Sequence, residues 1–192
     1  MMKMSNGLWG KEMKVYKAEQ NADLEFKFPK KLSWRELDKQ GVTLPEKMKL
    51  VDIVIEREED ILLIEIKDPS HQKCPDEGRI NYLKNLKDNT ILKQELTPKA
   101  RNSYLYLHLL EEDKKPFKFI VLLGLDAFAE NEQKAVLMTF KDRLLKNIRH
   151  ESHEKWKRNH IEDCVILSVK TWNQHFPDWP LKRLSLANKL VA

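Results

Sequence analysis

Two short apolar runs separated by a charged turn constrain this chain more than any other feature. Lys49 to Glu56 (KLVDIVIE) and Asp60 to Lys67 (DILLIEIK) are β-branched and apolar, and Arg57-Glu58-Glu59 joins them. Such a pair predicts an antiparallel hairpin. With Glu58 and Glu59 at the tip, Arg57 faces Asp60, Glu56 faces Ile61, and the same count sets Asp52 opposite Glu65. Lys67, two residues beyond Glu65, points the same way. The other face holds Val51, Ile53, Ile55, Leu62, Ile64 and Ile66, and even the charged face has Val54, Ile61 and Leu63 as neighbours. Strands apolar on both faces are covered on both faces.

The rest of the chain supplies that cover. Residues 1–22 are polar and read as a loosely ordered or helical N-terminal extension. Residues 23–192 read as one domain. Leu24 to Phe28 alternates like a short strand. Ser33-Trp34-Arg35-Glu36 has the form of a capping box and predicts a short helix stopping at Gly41. A polar loop rich in turn formers follows Pro69. Thr97-Pro98 reads as an N-cap with proline at the first helical position, opening a helix to about Glu111. Phe117 to Leu125 (FKFIVLLGL) reads as a buried strand, and Glu130 to Arg149 as a long helix with Leu137, Phe140, Leu144 and Ile148 inward. Asp163 to Lys170 is a fourth strand. A tail with Pro177 and Pro180 wraps the surface before a last short helix. The expected fold is α/β: a mixed four-stranded sheet flanked by helices on both faces.

Several function classes drop out. No G-x-x-x-x-G-K-[ST] or G-x-S-x-G occurs, so neither ATP use nor serine acyl transfer is signalled. Cys74 and Cys164 form no CxxC pair, and the spacing of His150, His153, His160 and Cys164 fits no standard zinc site. No signal-peptide core or membrane-length apolar run is present, so the expected setting is reduced and cytoplasmic, without a membrane partner. The net charge of +5, from 35 basic and 30 acidic residues, is compatible with a polyanionic partner without requiring one.

Asp52, Glu65 and Lys67 are then charged groups at one end of a buried hairpin. Two carboxylates about 4–5 Å apart repel by roughly 3–4 kcal/mol at an effective dielectric of 20. One lysine offsets part of that, and a divalent cation offsets more. Oxygen ligands from two carboxylates suit Mg²⁺ or Mn²⁺. Asp52, twelve intervening residues, and Glu65-Ile66-Lys67 resemble the D-x(n)-(D/E)-x-K signature of the PD-(D/E)XK nuclease superfamily. Val51 stands where the name has proline. The resemblance covers about residues 33–170 and implies a restriction-endonuclease-like core. It further implies Asp52 and Glu65 as metal ligands, the Ile66 carbonyl as a third, and Lys67 as the residue that positions water. The expected activity is Mg²⁺-dependent hydrolysis of DNA, with RNA cleavage or a non-catalytic binding or scaffold role as alternatives.

Further candidates carry plainer readings beside the functional ones. By the resemblance, Glu36 completes the metal shell from the preceding helix, with Glu19 as substitute; otherwise Glu36 serves the Ser33 cap. Lys99, Arg101, Tyr104 and His108 are candidate phosphate contacts on the helix after the motif, or solvated helix residues. Asp68 either bonds a metal water or closes a turn. Arg143, Lys146 and His150, followed by Lys155, Lys157 and Arg158, form a stripe that either tracks phosphates or faces solvent. Trp156, Trp172 and Trp179 read as core and tail anchors. At this length, sequence specificity falls to loops, a homodimer or a partner protein.

Overall fold

The computed structural model describes residues 12–18, 22–39, 43–45, 48–154 and 156–185. Its strands are β1 (Met13–Lys17), β2 (Leu24–Pro29), β3 (Ser33–Glu36), β4 (Ile53–Glu56), β5 (Ile61–Lys67), β6 (Phe117–Leu123), β7 (Asp163–Ser168) and β8 (Leu181–Arg183). Its helices are α1 (Asp76–Lys87), α2 (Thr97–Leu109), α3 (Glu130–Arg149) and α4 (Val169–His175). The hairpin β4–β5 forms in the register its turn imposes, with Ile53 opposite Ile64 and Glu56 opposite Ile61. It lies within a five-stranded mixed sheet of order β3-β4-β5-β6-β7. The first three strands run antiparallel, and β6 and β7 run parallel to β5.

The fifth strand, β3, replaces the helix expected from Ser33 to Glu36. Ser33 pairs with Glu56 and Glu36 with Ile53, so strand pairing overrides a four-residue capping signal. The two faces of the sheet are covered differently. One packs on α1, α2 and α3 through residues such as Leu63, Phe119, Leu92, Ala100 and Phe140. Both parallel crossovers put their helices on this side, as two right-handed crossovers in the same direction must. The other face packs on α4 and on a second, antiparallel sheet of order β1-β2-β8. Helices therefore do not flank both faces equally. Residues 13–17, expected within a loose or helical extension, form a strand paired with β2, and β8 of the tail pairs on its other side. The second core is aromatic: Trp172 meets Phe26 edge-on at 5.2 Å and donates its indole N–H to the Trp179 carbonyl.

The segment after Pro69, expected to be a loop, holds α1 and a π-helical turn, Leu92–Leu96. α1 buries just Leu83 and Leu86, too few apolar positions to stand out as a period. Thr97 is not an N-cap; it has helical dihedrals, and its N–H donates to the Leu92 carbonyl. Pro98 accounts for the widened turn, because it lacks an N–H and its ring crowds the carbonyl four residues back. α3 matches expectation in extent, with Val136, Phe140, Leu144 and Ile148 buried and Leu137 partly so. Glu130 and Glu132 at its start and Lys146 and Arg149 at its end complement the helix dipole. β7 stops at Ser168, whose side chain forms a capping box with Thr171 to start α4. Among the described residues no helix is long and apolar enough to cross a membrane.

Candidate active site

A cavity of about 330 Å³ opens at the C-terminal end of β5, lined by Asp38, Asp52, Glu65, Lys67, Tyr82 and Lys99 among others. Carboxyl ends of parallel strands are where open α/β sheets place their ligands. Asp52 lies one residue before β4, and its Oδ2 accepts the Ile66 N–H at 2.6 Å. The side chain thereby takes over where the backbone ladder stops, and Oδ1 is left toward the cavity group Lys99 at 3.8 Å. Glu65 and Lys67 alternate with the apolar Ile64 and Ile66 along β5, so both point to the helical side. The hairpin thus brings Asp52, Glu65 and Lys67 to one cavity.

Glu65 is 1% exposed. Lys99 Nζ donates to its Oε2 at 3.0 Å. Lys99 and Lys67 also lie 2.9 and 3.2 Å from Oε1, yet neither is aligned as a hydrogen-bond donor to it. A buried acceptor without an aligned donor is rare in a folded protein. Burial, followed by the nearby Asp52 charge, pushes the Glu65 carboxyl up to about 7 against the pull of both lysines. Burial likewise raises Asp52, with Lys99 opposing. Burial works against the charge of Lys67, but Glu65 and Glu95 outweigh it and hold the ammonium above its usual range. Lys99 is raised for the same reason, through Glu65 and Asp52. At neutral pH the site therefore holds two charged lysines and a carboxylate close to its own titration point.

Three participants escape a sequence reading. Glu95, in the π turn, takes Lys67 Nζ at 2.6 Å. Asp38, just past β3, lies 3.5 Å from Lys99. Tyr82, on α1, lines the cavity with a buried hydroxyl that has no hydrogen-bond partner among the described residues. Burial, then Glu95 and Glu65, raise that phenol well above its usual range, so it remains a donor. The Glu95–Lys99 spacing of four was the available helical signal, but it lies in a stretch whose polarity reads as loop.

The other sequence candidates divide between the cavity wall and places away from it. Glu36 pairs with Ile53, whose side chain belongs to the aromatic face, so it points to the opposite side of the sheet from Glu65. Glu19 and Lys155 lie outside the described residues. Lys99 lies in the cavity but on the carboxylates. Arg101 pairs with Glu151. Tyr104 packs on Phe117 and His160 and stacks on His108, which bonds Asp113. Arg143 donates to the Leu86 and Lys87 carbonyls at 3.0 Å each, closing the C-terminus of α1 rather than facing a phosphate. Lys146 and His150 are exposed on α3 and beyond its end. Asp68 also lines the cavity, but its carboxylate is held by Arg183 at 2.8 and 2.9 Å and accepts the Asp23 N–H. Gly124 belongs to that contact, since any Cβ there would collide with the Asp68 carboxylate.

The donor set fits a hard divalent ion of the magnesium type. Glu65 Oε1 lacks an aligned donor, Asp52 Oδ1 faces the same group, and Ile66 lines the same cavity. Among the described residues no group of three His, Cys, Asp or Glu side chains is arranged so that it could hold an ion by itself. Mg²⁺ does not need one, because it keeps several waters and takes one or two carboxylates. Zinc fits less well: Cys164 is buried, and burial pushes its thiol up to about 12, away from the thiolate that zinc requires. No protein family, curated protein or solved structure matches the chain.

Proposed function

We propose that the chain is a Mg²⁺- or Mn²⁺-dependent nuclease with a restriction-endonuclease-like core, hydrolysing phosphodiester bonds in DNA. The observation that carries the reading is Glu65. A fully buried carboxylate with one oxygen lacking an aligned donor among the described residues sits beside Asp52 and Lys67 in a cavity at a strand end. The hairpin followed by two parallel crossovers supports the fold part of the reading.

In this reading Asp52 and Glu65 hold the ion, with the Ile66 carbonyl as the further oxygen. The ion, when bound, supplies Lewis acidity that activates water and offsets negative charge on the phosphate. Glu65 binds it in the ionised form, so metal uptake releases a proton below about pH 7. Lys67 stays charged and, tethered by Glu95 at 2.6 Å, holds its ammonium beside Glu65 where it can position a water or a phosphate oxygen. The Tyr82 hydroxyl is a spare donor at the same cavity.

One observation favours a second reading, a non-catalytic binding or scaffold protein. Lys67 and Lys99 already counter the charge of Glu65, as a structural ion network would. Incubating the protein with supercoiled plasmid, single-stranded DNA and RNA, each with Mg²⁺, Mn²⁺ or EDTA, separates the two. The nuclease reading expects divalent-dependent cleavage of DNA, lost in Asp52→Ala. Cleavage of RNA alone would move the substrate class. Binding without cleavage in any metal would favour the second reading.

A further inference from the structure

Four distances single out Lys99. Its Nζ lies 2.9 Å from Glu65 Oε1, 3.0 Å from Glu65 Oε2, 3.5 Å from Asp38 Oδ2 and 3.8 Å from Asp52 Oδ1. Three carboxylates from separate stretches of chain thus converge on one buried ammonium. Lys67 also touches Glu65, but its shorter contact is to Glu95 at 2.6 Å. Lys99 is the cation that lies between Asp52 and Glu65. A divalent ion needs the same lone pairs, and it would meet a positive charge within about 4 Å if the lysine stayed.

The geometry points to Lys99 as a tethered counter-cation that keeps the place of the metal and must withdraw before the metal binds. This rests on the nuclease reading and adds a control of metal occupancy to it. Lysine suits the role, because its flexible stem lets a compact charge move while the helix stays fixed. Asp38, about half exposed, is one acceptor for the displaced ammonium. An incoming phosphodiester is a better one. If the phosphate takes Lys99, the two carboxylates are freed, and nucleic acid and metal tighten each other by the same factor. The free protein then binds metal weakly and the substrate complex binds it well.

Mn²⁺ binding, measured by calorimetry or by the loss of the free-ion paramagnetic signal, tests this without any turnover. The full chain is compared with Lys99→Met and Lys99→Gln, the second retaining an amide donor to Glu65 should the first fail to fold. Asp52→Ala marks site-specific binding. A unit charge about 4 Å from a divalent ion changes affinity roughly thirty-fold even when screened as in bulk water. Both Lys99 variants should therefore bind Mn²⁺ about tenfold tighter or more, and Mg²⁺ should raise their melting temperature further than that of the parent. A short phosphorothioate duplex should tighten Mn²⁺ binding by a larger factor in the parent than in the variants, which keep only the direct attraction between ion and phosphate. Asp52-dependent binding of equal or lower affinity in the Lys99 variants overturns the proposal and leaves the metal site standing. No Asp52-dependent binding in any protein, with or without the duplex, overturns the nuclease reading itself and this inference with it.

Discussion

Two buried ionic clusters lie side by side in the chain, and they are satisfied to different degrees. Asp68 takes two bonds from Arg183 and one from the Asp23 N–H, and Arg183 also reaches Asp126 at 2.5 Å. Glu65, three residues earlier, is as deeply buried, yet it keeps one oxygen without an aligned donor and a carboxyl raised to about 7. The first cluster joins β8 of the small sheet to the loop after β5, and it is complete. Both carboxylates line the same cavity, but in the second cluster Glu65 keeps an oxygen to which neither Lys67 nor Lys99 is aligned. A buried charge with aligned donors on both oxygens is architecture, whereas a buried carboxylate raised toward neutrality, with one oxygen unaligned and open to a cavity, marks a place for a ligand.

The largest expected difference between the clusters is in activity. Asp52→Ala and Lys67→Ala should each lower divalent-dependent cleavage on the order of a thousandfold while circular dichroism stays that of the folded parent. Full activity in either variant would remove that residue from the site. The complete cluster should respond in stability instead. Arg183→Met leaves Asp68 buried without its cation, and chemical denaturation should show a loss of about 3–5 kcal/mol. A loss under 1 kcal/mol would contradict the contrast between the clusters.

Next comes a pH dependence specific to the incomplete cluster. The Glu65 carboxyl is raised in the folded protein, so the stability it contributes is fully present below its ordinary value of 4.5 and is lost as pH rises through about 7. Without metal, the loss across that window should be on the order of 3 kcal/mol, and Glu65→Gln should remove it. A profile unchanged by that substitution would show that Glu65 titrates as an ordinary carboxyl. Gly124→Ala bears on the complete cluster again: the new methyl would collide with Asp68 Oδ1 and force the carboxylate off Arg183, a loss of at least about 1–3 kcal/mol.

How legible these features are in the sequence follows from what positions each residue. The hairpin register is legible because a one-residue slip would turn every side chain to the other face. With it came the shared side of Asp52, Glu65 and Lys67. α3 is legible because Phe140, Leu144 and Ile148 repeat every four residues. β3 is not, because Ser33 to Glu36 carries a local helix signal that loses to pairing with β4. β1 and β8, of five and three residues, are too short to show a period and form only because β2 lies between them. Asp38 and Tyr82 line the cavity and Glu95 holds Lys67 from behind it, placed by the ends of β3 and α1 and by the π turn, the elements the sequence does not announce. Arg183 finds Asp68 across 115 residues, a distance over which no pattern in the chain links them.

The central claim is that Glu65 is held at a cost in stability for the sake of an ion and a reaction. Glu65→Gln, measured twice on one preparation, tests it most directly: plasmid cleavage in Mg²⁺, and melting without metal at pH 8. The account predicts that cleavage is lost while the melting temperature rises above that of the parent, because the amide keeps the shape and removes the buried charge. Cleavage at the parent rate would contradict it, as would a loss of cleavage accompanied by a lower melting temperature.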